Sequence, residues 1–238
     1  MKYLNTPKLQ LALFLLIKIF VDLLYGFSLI NLVYFVLTIG ITVILEYIFL
    51  KIRKIKPFFL SASIVTGIII AMLNSPKNSW LETIFIIFLA IASKHFIRIQ
   101  NRHIFNPAAF GLFFGSLVFR TPVAWWSVSS AFFLFLFLPG YVSIFRSKKL
   151  NIILSFFVIY NLLTFFIIKR INIFDPVIIF FTLVMLAEPM TSPNRPMRQI
   201  LFGVITAVIT IILSYLTNVP DLLITSLLIS NFLFFKFR

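Results

Sequence analysis

An all-α polytopic membrane protein is the fold class this sequence predicts, and three observations carry it. Of 238 residues, 61% are hydrophobic and only 11% charged, against about 45–50% and about 25% in soluble domains. Apolar stretches recur at lengths of about 17–25 residues, enough to cross about 30 Å of hydrocarbon. The basic residues, 21 against 6 acidic, stand in short clusters between those stretches, as in the loops of membrane proteins.

The same observations exclude several functions. A net charge of +15 split into short loop clusters does not form the continuous basic face that nucleic acid needs. With no cysteine, disulfides, thiolate metal sites and cysteine-held iron–sulfur clusters are ruled out within the chain. His95 and His103 are the only histidines and are expected in one loop, which leaves no bis-histidine haem site. The sequence points to neither catalytic nor metal-ligating residues.

Ten apolar segments can be counted, at roughly 9–25, 28–50, 57–73, 80–93, 104–119, 124–145, 149–167, 172–187, 199–217 and 221–236. The first follows Lys2 and Lys8 and lacks an Ala-x-Ala site, so it reads as a retained span rather than a signal peptide. Within it, Lys18 and Asp22 are four residues apart and share one helix face. Such a pair inside a membrane is either functional or a structural ion pair. The third segment opens at Pro57, ends in LNSP and carries Ser61, Ser63, Thr66 and Gly67. Small hydroxyl residues of this kind serve helix packing or line a binding face.

The fifth segment opens with NRHIFNPAAFG, residues 101–111. Asn106 suits an N-cap and Pro107 the first helical position. Ala108, Ala109, Gly111 and Gly115 then keep the helix slim. Its N-terminus would offer N–H groups to an anionic oxygen, or be an ordinary cap above a glycine packing face. Trp125-Trp126 opens the sixth segment as an interfacial anchor. The eighth has Asp175-Pro176 near its start and runs into AEPMTSPNRP. There the prolines prevent a helix, Thr191 and Ser192 supply hydroxyls, and Glu188 sits at the apolar boundary. Asp22, Asp175 and Glu188 are the ion-coupling candidates.

With the N-terminus in the cytoplasm, sixteen basic residues fall inside and four outside, Lys18 lying within a span. That asymmetry favours a multi-pass cell-membrane protein with both termini cytoplasmic; Lys169-Arg170 is the misfit. The third and eighth segments are short and proline-interrupted, and the fifth and tenth are also short. One membrane domain, 1–238, therefore divides into halves 1–123 and 124–238. Five spans per half make the halves inverted repeats, and paired broken segments in such repeats point to a site near the midplane.

In order, VTGIIIAML, RHIFNPAAFG and FTLVMLAEPMTSP are similar to motifs of one family over about residues 57–217. That family comprises the related membrane subunits of the Rnf electron-transport complex and of the sodium-pumping NADH:quinone reductase. The resemblance implies ten helices in an inverted repeat with broken half-helices, akin to urea channels. It further implies flavin (FMN or riboflavin) and electron transfer coupled to sodium or proton movement. The chain would then be part of an ion-translocating oxidoreductase, acting with other redox subunits rather than alone. By resemblance, Thr66 and Gly67 lie beside the flavin, and Asn106, Pro107 and Ala108 form the facing helix mouth. Glu188, Thr191 and Ser192 belong to the repeat-related turn. Full-length family members carry a long insertion after the fifth span with a Ser-Gly-Ala-Thr-like site for covalent flavin phosphate. Here only Arg120-Thr121-Pro122-Val123 stands there, so the flavin is either non-covalent or carried by a partner. A quinone partner leaves no readable mark. A small-solute channel or transporter on the same scaffold is the alternative function.

Overall fold

A computed structural model describes residues 6–25, 28–55, 61–99, 102–128, 133–169, 172–216 and 219–237. Lys2, Lys56, Pro57, Arg170 and Arg238 lie outside the described residues. The described chain is all-helical apart from one hairpin of two-residue strands. In order come α1 (Pro7–Tyr25), α2 (Leu29–Ile52), α3 (Ser61–Leu73) and α4 (Trp80–Phe96). The hairpin follows, β1 (Arg98–Ile99) against β2 (Arg102–His103), and then α5 (Pro107–Phe119). The rest is α6 (Phe133–Arg146), α7 (Leu150–Ile168), α8 (Pro176–Leu186), α9 (Pro196–Leu213) and α10 (Leu222–Phe234). Among the described residues, three helices are long and apolar enough to cross a membrane: α2, residues Leu150–Ile167 of α7, and α9.

Polar residues define where the helices begin. Ser79 accepts from the Glu82 amide at 3.2 Å to start α4, a Ser-x-x-Glu arrangement. The short helices are capped by side chains too. Asn106 accepts from the Ala109 amide at 3.1 Å, Asp175 from Val177 at 2.8 Å, and Asp221 from Ile224 at 2.8 Å. Proline occupies the first position of α5, α8 and α9, where its missing N–H costs nothing. These caps place the starts of α5 and α8 three or four residues later than the apolar runs 104–119 and 172–187. Hydrophobicity marks greasy residues, whereas a cap marks the first helical one.

α3, α5 and α10 each have 13 residues, or ~20 Å at 1.5 Å per residue, short of the ~30 Å hydrocarbon thickness. Their broken ends need partners for exposed backbone groups. At the end of α3, Ala124 N–H donates to Leu73 O at 2.8 Å. The Trp126 indole donates to Ala71 O and Asn74 O, each at 2.9 Å. Trp125, only 7% exposed, donates to Asp221 at 2.8 Å. The tryptophan pair therefore pins broken helix ends inside the protein rather than anchoring it at the interface. α8 ends in a π-helical stretch, Phe181–Leu186, and α6 in another, Val142–Arg146. They meet where the Ser143 hydroxyl donates to Leu183 O at 2.5 Å.

Packing follows the small residues. α2 lies along α3, α4 along α5, and α7 along α9, and a glycine marks each pair. A Cβ on Gly67 would stand 3.0 Å from Ile39 Cα and Thr42 Oγ1; on Gly111 it would strike Ile86 O, and on Gly203 Ile152 O and Ser155. Thr206–Ser230 at 2.8 Å and Thr210–Ser226 at 2.9 Å join α9 to α10. Without a hydrophobic drive between helices in lipid, such close approach and hydroxyl pairing hold them together. The buried core runs through these contacts, while many apolar residues, such as Ile30, Phe174 and Phe232, are exposed.

Candidate functional site

One narrow cavity collects Thr66, Asn106, Pro107, Ala108 and Glu188 from the residues singled out by the sequence. Its wall takes Lys8 and Leu11 from α1; Ala62, Val65, Thr66 and Ile69 from α3; and Asn106, Pro107 and Ala108 from the start of α5. Val184 of α8, Glu188 and Pro189 close it. These come from four separate stretches of chain.

Hydrogen bonds hold the polar side of the cavity. Glu188 Oε2 accepts from the Thr191 hydroxyl at 3.0 Å, and Oε1 lies 3.4 Å from His103 Nε2. The Ser192 hydroxyl donates to Glu188 O at 2.6 Å, closing the turn that the prolines keep non-helical. Asn231, fully buried in α10, accepts from the Asn106 amide at 2.9 Å and donates to Thr191 O at 3.3 Å. Asn106 reaches Met185 O at 3.5 Å. A single amide side chain thus couples the mouth of α5 to the Glu188 turn. The turn is also held from below, because Lys149, 1% exposed, donates to Pro193 O at 2.7 Å and Asn194 Oδ1 at 2.9 Å. Lys149 counts in the sequence as a loop charge; burial against carbonyl oxygens makes it a structural pin.

Burial works to raise the Glu188 pKa, but His103, Lys8 and the Thr191 hydroxyl outweigh it and hold the carboxyl below its ordinary value. A carboxylate so placed, with an imidazole, a hydroxyl and an ammonium around it, can hold or pass a proton or a small cation. Among the described residues, no three of His, Asp and Glu converge to hold a metal ion.

Not every expectation lands in this cavity. Gly67 packs against Ile39 and Thr42 of α2 instead; Thr66 stands in the wall but donates its hydroxyl to Ala62 O at 2.9 Å. The α5 terminus is largely self-capped: Asn106 serves the Ala109 amide and its carbonyl the Phe110 amide, so it is no open anion cradle. Asp175 caps α8. Asp22 pairs with Lys18, which also donates to Ser127 O. Neither carboxylate joins Glu188. His95 belongs to α4 rather than to a loop with His103.

The cavity does not fit a flavin. Its volume is about 40 Å³, the space of one or two waters, whereas ligand pockets run to about 300–1,000 Å³. A tricyclic isoalloxazine cannot enter between α1, α3 and α5 as they stand.

A second polar feature, missed in the sequence, runs the length of α2. Tyr34, Thr38, Thr42 and Glu46 are spaced four apart and are all buried, forming one stripe. At one end Asn74 donates to Tyr34 Oη and Thr83 Oγ1, each at 3.0 Å. Asn78 bridges Asn74 to Glu82 at 2.9 and 2.8 Å, and Thr121 donates to Glu82 at 2.6 Å. At the other end Glu46 accepts from Lys94 at 2.6 Å and meets His95 Nε2 at 3.1 Å. The four-residue spacing was the legible signal.

No protein-family model and no curated protein matches this chain.

Proposed function

We propose that this chain is a membrane subunit of an electron-transfer complex that couples redox chemistry to sodium or proton movement, with the flavin carried by a partner protein. The observation that carries the reading is convergence. Thr66, the Asn106–Ala108 mouth and Glu188 belong to the three stretches behind the family resemblance, and they wall one cavity. Glu188 would take the ion or proton, His103 and Thr191 would hold its carboxylate, and Asn106 and Asn231 would set the turn. The small cavity suits an ion and its water, which is why the flavin is assigned to the partner.

Ten crossings in an inverted repeat fit the same reading. Lys8 and Glu188 meet at one cavity, Glu46 and Lys94 pair where α2 and α4 end, and Tyr34 joins Glu82 through Asn74 and Asn78 where those two helices begin. Two helix lengths pair across the halves: 17 and 18 residues for α4 and α9, 13 and 13 for α5 and α10. α4 packs on α5 as α9 does on α10, and α2 on α4 as α7 does on α9.

The test is to isolate the complex through a tag on this chain and release its flavin by acid. Flavin is expected with a co-isolating protein, and redox-driven ion uptake into liposomes is expected to fall at least tenfold in Glu188→Gln with flavin content unchanged. A preparation without flavin that still passes small solutes would replace this reading with the channel alternative.

A further inference from the structure

We infer that the corner formed by the ends of α2 and α4 and strand β1 binds the phosphate of an anionic phospholipid. This site stands apart from the Glu188 cavity and does not depend on the redox reading.

The corner is built by two chain reversals. α2 ends with Arg53 as its C-cap, and Lys54 adopts a left-handed conformation (φ 54°) that turns the chain back. The Ile55 amide then donates to Leu50 O at 2.9 Å. This puts Lys51, Arg53 and Lys54 on one tight turn. α4 ends beside it, with His95 stacked on Phe49 at 5.5 Å between centroids, and β1 brings in Arg98.

The hydrogen bonds decide the charge of this corner. Arg53 Nη1 lies 3.2 Å from His95 Nδ1. Guanidinium can only donate, so Nδ1 accepts from Arg53, while Nε2 faces Glu46 at 3.1 Å. Glu46 is already engaged by Lys94 at 2.6 Å and by His95. Among the described residues, no carboxylate lies within ion-pair distance of Lys51, Arg53 or Lys54. The Arg98 pKa is lowered by burial and next by the Arg53 charge. An ordinary loop charge run is solvated and spread out; here the Arg53 guanidinium is held against the buried His95 ring, with Lys51 and Lys54 on the same turn.

The surroundings select the ligand. Ile52 (67%), Phe96 (66%), Ile99 (44%) and Ile55 (40%) are exposed around the same corner. Free phosphate would find no use for them, whereas a phospholipid sets its phosphate on Arg53 and the two lysines of its turn and its acyl chains on these side chains. Arg suits a phosphate through its paired donors, and each basic residue near an anionic surface contributes about 1 kcal/mol.

The experiment uses the full chain in phosphatidylcholine nanodiscs, with and without phosphatidylglycerol, read by native mass spectrometry and by thermal midpoint. Retention of phosphatidylglycerol and a midpoint rise of several degrees are expected, while inorganic phosphate alone gives neither. Arg53→Gln with Arg98→Gln should weaken retention by roughly tenfold. Lys51→Gln with Lys54→Gln, at exposed positions, should weaken it by a similar factor without changing the midpoint in phosphatidylcholine. Lys77→Gln with Lys169→Gln at the other end should change nothing. Equal stabilisation by phosphatidylcholine alone, an unchanged retention in both corner variants, or full stabilisation by inorganic phosphate would each overturn the assignment.

Discussion

Asn106 ties its own helix to two other segments: it caps α5, reaches the Met185 carbonyl at the end of α8, and donates its backbone amide to Asn231 of α10. Asn106→Ala should therefore destabilise by about 1–2 kcal/mol, read as a lower thermal midpoint in detergent, and Asn106→Ser, which keeps an acceptor, should recover most of that loss. The Asn106 cap is legible because Asn-Pro before small residues is a local signal. Asn231 is not, since a lone amide in a greasy helix says nothing about what it faces. Glu188 supplies the pH expectation. Its folded pKa lies below the ordinary 4.5, so its stabilisation is fully present above about pH 4.5 and is lost as pH falls through the lower folded value. The acid limb of a midpoint-versus-pH curve should flatten in Glu188→Gln, and an unchanged limb would assign that stability elsewhere.

Helix pairs carry the next expectations. A Cβ at Gly111 meets Ile86 O and Ala90 of α4, so Gly111→Ala must push α5 off α4 and should cost about 1–3 kcal/mol. Gly40 of α2 has nothing within 4 Å of its Cβ position, and Gly40→Ala should stabilise by about 0.5–1 kcal/mol through helix propensity. Comparing the two midpoints checks both; equal shifts would mean that packing at Gly111 is not the constraint. Short helices were readable as elements because proline and capping residues interrupt the apolar run. The π-helical ends of α6 and α8 were not, since they arise where Ser143 of one meets a carbonyl of the other. The α2 stripe stood in the sequence as a four-residue period, yet only the burial of Tyr34, Thr38, Thr42 and Glu46 together sets it apart from scattered polar residues.

For the whole molecule, the absence of cysteine makes topology measurable. Single cysteines at Lys77 and Lys169 should react with an impermeant maleimide in intact cells, and those at Lys51 and Arg198 only after lysis. Labelling of all four from one side would break the ten-crossing arrangement. Composition by itself determined that this is a helical, membrane-type chain, because 61% apolar residues with 11% charge leave a water-soluble core no surface to cover it. Local chemistry likewise determined the starts of α5 and α8, where a cap and its proline act within four residues. Only the tertiary structure decided which polar residues share a site. Hydrogen bonds such as Asn106 to Asn231, 125 residues apart, and Glu188 to His103, 85 apart, depend on how helices pack and not on what lies beside them in the chain. The same packing left about 40 Å³ where the motifs suggest a flavin, because Thr66, Asn106 and Glu188 close on one another more tightly than any one motif reveals.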